Sequence, residues 1–119
     1  MENNSLFWEY LDKMIHENEI IINRPKGSKH PKYNDMVYAV DYGYIKNTQS
    51  MDNGGIDIFK GSEPNKKIDA LFCTIDLIKN DSEMKILMGC TENEKIEIYN
   101  FLNNGDFMKA ILVKRLEIW

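Results

Sequence analysis

Cysteine and histidine are both scarce in this chain, and each scarcity removes a class of protein from consideration. Cys73 and Cys90 are the two cysteines; they lack C-x-x-C spacing, so neither a disulfide framework nor a zinc site is expected, and both read as buried free thiols. His16 and His30 are too far apart to form a helical metal pair. No apolar run approaches a membrane-spanning length. The first residues, MENNSLFWEYLDKMIHENE, mix charges throughout, unlike a signal peptide, so a cytoplasmic protein with no membrane partner is expected. There is no excess of positive charge either: the net charge is −4, which speaks against a sequence-independent grip on nucleic acid. Internal repeats and low-complexity linkers are also missing.

What is present suits one domain over residues 1–119. A hydrophobic content of 43% can bury a real core, and no composition shift divides the chain. Ser5 is placed to cap a helix with Phe7, Tyr10, Leu11, Met14 and Ile15 on its apolar face. Ile20–Ile22 reads as a first strand ended by Pro25, with further strands near 36–48, 56–60, 69–78 and 83–89. Thr91-Glu92-Asn93-Glu94 is a capping box opening a second helix that Gly105 is placed to stop, and Phe107 to Val113 returns as a last strand. The expected class is α+β, mainly β, and the strand spacing suits a small antiparallel barrel. Leu116, Ile118 and Trp119 are apolar for a tail, which predicts docking on the chain itself or on a second subunit of a homo-oligomer.

Chemistry concentrates between Arg24 and Asp57. Arg24, Lys26, Lys29 and Lys32 set four positive charges in nine residues, and Pro25, Gly27 and Pro31 keep them out of a helix. Such a loop holds an anion or is a solvated connection. Tyr38, Tyr42 and Tyr44 share one face of an extended strand, where phenols donate to phosphate oxygens or sit half-buried at the solvent edge. Asp52 and Asp57 bracket Asn53-Gly54-Gly55, which is a hairpin turn and also a way to bring two carboxylates toward one hard divalent cation.

Taken together, Val37-Tyr38-Ala39-Val40-Asp41-Tyr42-Gly43-Tyr44-Ile45, Thr48 and Asp52-Asn53-Gly54-Gly55-Ile56-Asp57 resemble the signature of family I soluble inorganic pyrophosphatases, a YP-x-NYGY-like strand followed by D-x-D-x-x-D. The preceding RPKGSKHP resembles the corresponding segment of the short bacterial members. The resemblance implies an OB-like barrel and Mg²⁺-dependent hydrolysis of pyrophosphate, or of another small phosphoanhydride, by metal-activated water, with Mn²⁺ an acceptable substitute. It implies Asp52 and Asp57 as metal ligands, joined by Asp81 and Glu83 of the second acidic cluster. Arg24, Lys26, Lys29, Tyr38, Tyr42, Lys85 and Lys109 are implied to grip phosphate, with Asp52, Asp57, Tyr42 and Lys85 carrying catalysis.

The departures are specific. Gly54 replaces the middle aspartate, the family's favoured general base; Asn23 stands where a carboxylate is common; Met108 stands where a phenol is usual. Asp41, in place of the usual asparagine, is a candidate replacement carboxylate. Three outcomes follow: a hydrolase with a rearranged base, an enzyme for another phosphoanhydride, or a catalytically silent module that binds a phosphate-bearing ligand or a protein partner.

Overall fold

The computed structural model describes residues 4–116, which form an α+β domain with two helices and one six-stranded mixed sheet. Helix α1 (Ser5–His16) precedes β1 (Ile20–Arg24), β2 (Asp41–Ile45), β3 (Ile56–Lys60), β4 (Ala70–Asp76) and β5 (Asp81–Met88); helix α2 (Glu92–Asn103) and β6 (Met108–Lys114) follow. Ile118 and Trp119 lie outside the described residues, and Leu116 is exposed.

The cap of α1 is Asn4 rather than Ser5: its side chain accepts the Leu6 N–H at 2.8 Å. The buried stripe is also rotated from the expected one. Trp8, Leu11 and Ile15 face the sheet, while Phe7 and Tyr10 are 46% and 73% exposed. Trp8 offers the larger apolar area, and one helix face cannot bury both Trp8 and Tyr10. At α2 the capping box forms as read. Thr91 Oγ1 accepts the Glu94 N–H at 3.1 Å, and the Glu94 carboxylate accepts the Thr91 N–H at 2.8 Å. Its C-cap is Asn104, and Gly105 is not in the left-handed region.

The strand order is β1-β2-β3-β5-β4-β6. β5 inserts between β3 and β4, so β3 and β5 run parallel (Asp57↔Lys85, Phe59↔Leu87) while the other ladders are antiparallel. The sheet is open, with β1 and β6 at its edges, and so departs from the closed antiparallel barrel expected from strand spacing. Strand spacing reports lengths and turns, whereas closure depends on which distant strands meet.

Alternation along the strands divides the core into two. On one face, α1 packs Trp8, Leu11 and Ile15 against Ile45, Ile58, Leu71 and Ile86. On the other, α2 packs Ile98 and Leu102 against Phe59, Phe72, Leu87 and Ala110. Each large side chain withdrawn from water contributes roughly 2 kcal/mol. Gly43 is required at a close approach: a Cβ there would lie 1.8 Å from the Ile21 carbonyl oxygen, beside the bulge between Ile22 and Arg24. Cys90 is buried, which pushes its thiol up to about 12, but Cys73 is exposed, contrary to the expectation of two buried thiols. Cys73 falls on the sheet face beyond the reach of α1. No helix among the described residues is long and apolar enough to cross a membrane.

Candidate functional site

The face that carries α2 continues past the end of that helix, and there its apolar residues give way to charge. Register alone sets the sequence of neighbours. Tyr42 lies opposite Phe59, Tyr44 opposite Asp57, Asp57 opposite Lys85, Phe72 opposite Lys85, and Thr74 opposite Glu83. Period two then puts Tyr42, Asp57, Glu83 and Lys85 on one surface.

Lys85 is the centre of this group. Its ammonium lies 2.7 Å from Asp57 Oδ2, 3.0 Å from the Tyr42 hydroxyl oxygen and 3.4 Å from Glu83 Oε2. The side chains of Lys85, Glu83 and Asp57 are 7%, 8% and 18% exposed. Burial alone would lower the lysine pKa; Tyr42 and Asp57 overcome it and hold Lys85 above its ordinary value, so it remains an ammonium. Burial, reinforced by Asp57, pushes the Tyr42 phenol well above its ordinary value, and the residue stays a neutral donor. Glu83 is likewise raised, by burial first and then by the nearby charges of Asp57 and Asp52, against the pull of Lys85.

Arg24 extends the cationic side. Its guanidinium donates to the Tyr38 hydroxyl and lies 5.7 Å from the centroids of both the Tyr38 and Tyr42 rings. Asp52 extends the acidic side from the β2–β3 turn. Thr48 pins that turn by donating to the Ile45 carbonyl at 2.7 Å and accepting the Ile56 N–H at 2.9 Å, while Asn53 and Gly55 adopt φ of 62° and 88°. Hydrogen bonds from the Ser50 hydroxyl and the Gly54 N–H hold the Asp52 carboxylate below its usual range.

Two atoms are left unmatched. Among the described residues, the buried side-chain oxygens without a hydrogen-bond partner are Glu83 Oε1 and Asp81 Oδ1. Both belong to β5, two residues apart on the same face, and Asp81 lies two pairs further out, opposite Asp76. A buried carboxylate oxygen with no donor is costly, and a hard cation is the ligand that relieves it. Lys85 is a single ammonium facing Asp57 and Glu83, with Asp52 alongside, so the local balance is acidic. No three Asp, Glu, His or Cys side chains among the described residues converge as a ready-made metal cage. Mg²⁺ is commonly held by one or two carboxylates together with substrate phosphates, and this donor set fits that mode.

Several expected residues fall elsewhere. Lys109 donates to the carbonyls of Asn103 and Gly105 at 2.9 and 3.0 Å, tying off the end of α2, and alternation sets it on the opposite face from Met108 and Ala110. It is not brought to Lys85. Lys26 and Lys29 are exposed on the basic loop; the backbone N–H of Lys26 donates to Asp41 Oδ1 at 2.8 Å. That bond turns Asp41 to the loop, so Asp41 does not replace the missing carboxylate. Tyr38 is buried in the core, with only its hydroxyl edge turned to Arg24. A Cβ at Gly54 would lie 3.1 Å from Asp52 Oδ1, beside the acidic cluster.

Lys79 escapes a motif reading. It stands at the tip of the β4–β5 hairpin, where Asp76 Oδ1 accepts its N–H at 3.1 Å, and its charge acts on His30, Asp52 and Glu83 alike. An Asp followed by a lysine-bearing turn signals a hairpin, but nothing in it signals what the tip faces. A concavity of about 1090 Å³ lies beside α1 and includes none of the residues around Lys85. Within it, Arg115 reaches Asp12 at 2.9 and 3.1 Å.

Compared with known proteins, the chain matches no family model and no curated protein. The likeness to pyrophosphatases rests on the motif residues, and the geometry around Lys85 is independent of it.

Proposed function

We propose that this chain is a phosphoanhydride hydrolase of the pyrophosphatase type, with inorganic pyrophosphate as the reference substrate and Mg²⁺ as its cation. The observation that carries this reading is the buried Lys85 ammonium among Asp57, Glu83 and Tyr42, next to two buried carboxylate oxygens without donors. One or two of the carboxylates of Asp52, Asp57, Asp81 and Glu83 would hold the ion together with the substrate phosphates. When bound, Mg²⁺ neutralises phosphate charge and makes a neighbouring water more acidic. Lys85 and Arg24 stabilise the negative charge that accumulates on the phosphate oxygens, and Tyr42 donates a hydrogen bond from a phenol that stays protonated. With Gly54 between Asp52 and Asp57, the turn offers no carboxylate at its middle position. Glu83, whose proton affinity is raised, takes the water's proton.

A second reading has its own support. Asp52 is already engaged by Ser50 and Gly54, which favours a silent module that grips a phosphate-bearing ligand without cleaving it. Phosphate release from pyrophosphate, with and without millimolar Mg²⁺, separates the two. Metal-dependent release that is lost in Asp57→Asn supports the hydrolase; binding without release supports the module; neither binding nor release overturns both. Gly54→Asp, which returns a carboxylate beside Asp52, raises turnover in the first case.

A further inference from the structure

An aromatic column leads from solvent to Lys85. The Tyr33 ring is 5.1 Å from His30, His30 is 6.4 Å from Tyr38 and nearly parallel to it at 12°, and Tyr38 is 5.1 Å from Tyr42. The Tyr42 hydroxyl then accepts from Lys85. The inner rings serve the core. Tyr38 packs on Phe101 and Tyr42 on Phe59. The outer pair does not: Tyr33 is 49% exposed, and neither it nor His30 belongs to a core cluster.

The loop that presents the outer pair is nonetheless held. The N–H groups of His30, Tyr38 and Gly27 donate to the carbonyls of Met36, Ser28 and Tyr38 at 2.8, 2.9 and 2.9 Å. His30 Nδ1 accepts the Lys32 N–H at 3.1 Å, and burial together with Arg24, Lys32 and Lys79 lowers its pKa, leaving a neutral ring. Lys29 and Lys32 are exposed cations beside it. A rigid, half-exposed aromatic step flanked by lysines and adjoining an anion site matches a planar ring carried on a phosphate chain. Bare pyrophosphate, held at Arg24 and Lys85, would leave that step unused.

We propose that the phosphoanhydride taken by this site is that of a nucleoside di- or triphosphate, its base stacked on the outer His30–Tyr33 pair and its phosphates laid on Arg24 and Lys85. This rests on the phosphoanhydride reading above and names the ligand class within it.

The test is calorimetric titration of the full chain, in millimolar Mg²⁺, with ATP and with inorganic tripolyphosphate, which carries the same phosphate chain without a ring. Expected is ATP binding at least about fivefold tighter than tripolyphosphate. Tyr33→Ala should erase that preference and leave tripolyphosphate affinity unchanged, while Tyr33→Phe should keep it. Equal affinities in the unmutated chain, or a Tyr33→Ala loss shared by both ligands, overturn the stacking proposal alone. Failure of both ligands to bind overturns the phosphoanhydride reading with it.

Discussion

Lys85 and Lys95 are the two buried lysines of this domain, 7% and 6% exposed, each with two carboxylates in reach. Their settings differ in what surrounds the carboxylates. Lys95 donates to Asp69 at 3.0 Å and Glu92 at 3.1 Å, and those partners are 34% and 78% exposed. Water finishes their hydrogen bonding, and the lysine serves as a staple holding α2 to the segment before β4. Around Lys85 the partners are buried as well, and a carboxylate oxygen of Glu83 is left without a donor. A staple has no use for an unsatisfied acid, whereas a ligand site does. Burial of a charge does not by itself mark a site; burial of its counter-charges beyond what it can satisfy is the feature on which the proposed site rests.

The widest separation between the two lysines should come from removing each. Lys85→Met leaves Asp57 and Glu83 buried without their cation and should cost about 3 kcal/mol; on the hydrolase reading proposed above it should also abolish pyrophosphate turnover. Lys95→Met leaves acids that water can reach, and about 1 kcal/mol is expected with turnover intact. Urea unfolding and phosphate release on both variants check the contrast; equal losses of stability would break it.

Glu83 sharpens the comparison through pH. Its folded pKa is raised, so between the ordinary glutamate value and the raised one the folded chain keeps a proton that the unfolded chain has lost. The stability this confers is fully present below the ordinary value and is lost as pH rises through the raised one. Glu83→Gln should therefore flatten the fall in the urea midpoint as pH is raised across the carboxylate range toward neutrality. The same variant should lessen the rise in melting temperature produced by millimolar Mg²⁺, because an ion that binds the folded state alone must stabilise it.

On the Lys95 side, Thr91→Ala removes the hydroxyl that caps α2 and is expected to cost about 1 kcal/mol, read by urea unfolding, without changing turnover. The smallest effect is assigned to Lys109→Met. Since that ammonium caps α2 carbonyls, turnover should stay within about twofold of the unmutated chain; a loss on the scale of Lys85→Met, measured by phosphate release, would return Lys109 to the site.

How far the sequence could be read depended on the range of each interaction. The capping box at Thr91, the positive-φ residues Asn53 and Gly55, and the α+β class are local or periodic features, and they form as their residues suggest. Asp57, Glu83, Lys85 and Tyr42 were legible as candidates because their motifs resemble a known pattern. Lys109 was misplaced because the next residue along a strand is on the other face, and a one-residue step cannot be judged without the register. Phe7 and Tyr10 were misplaced because a helix with apolar residues on more than one side is oriented only by what it packs against.

By itself the sequence determined a single-domain composition, two helices with their capping chemistry, the strands and tight turns between them, and an acidic turn near a basic loop. These follow from propensities and periods that act over a few residues. Tertiary structure alone decided that β5 slips between β3 and β4, that Lys85 thereby faces Asp57 from 28 positions away, and that His30 and Lys79 border the same cluster. Strand partners are chosen by burying two faces of one sheet at once, a condition on the whole chain that no short stretch of it encodes.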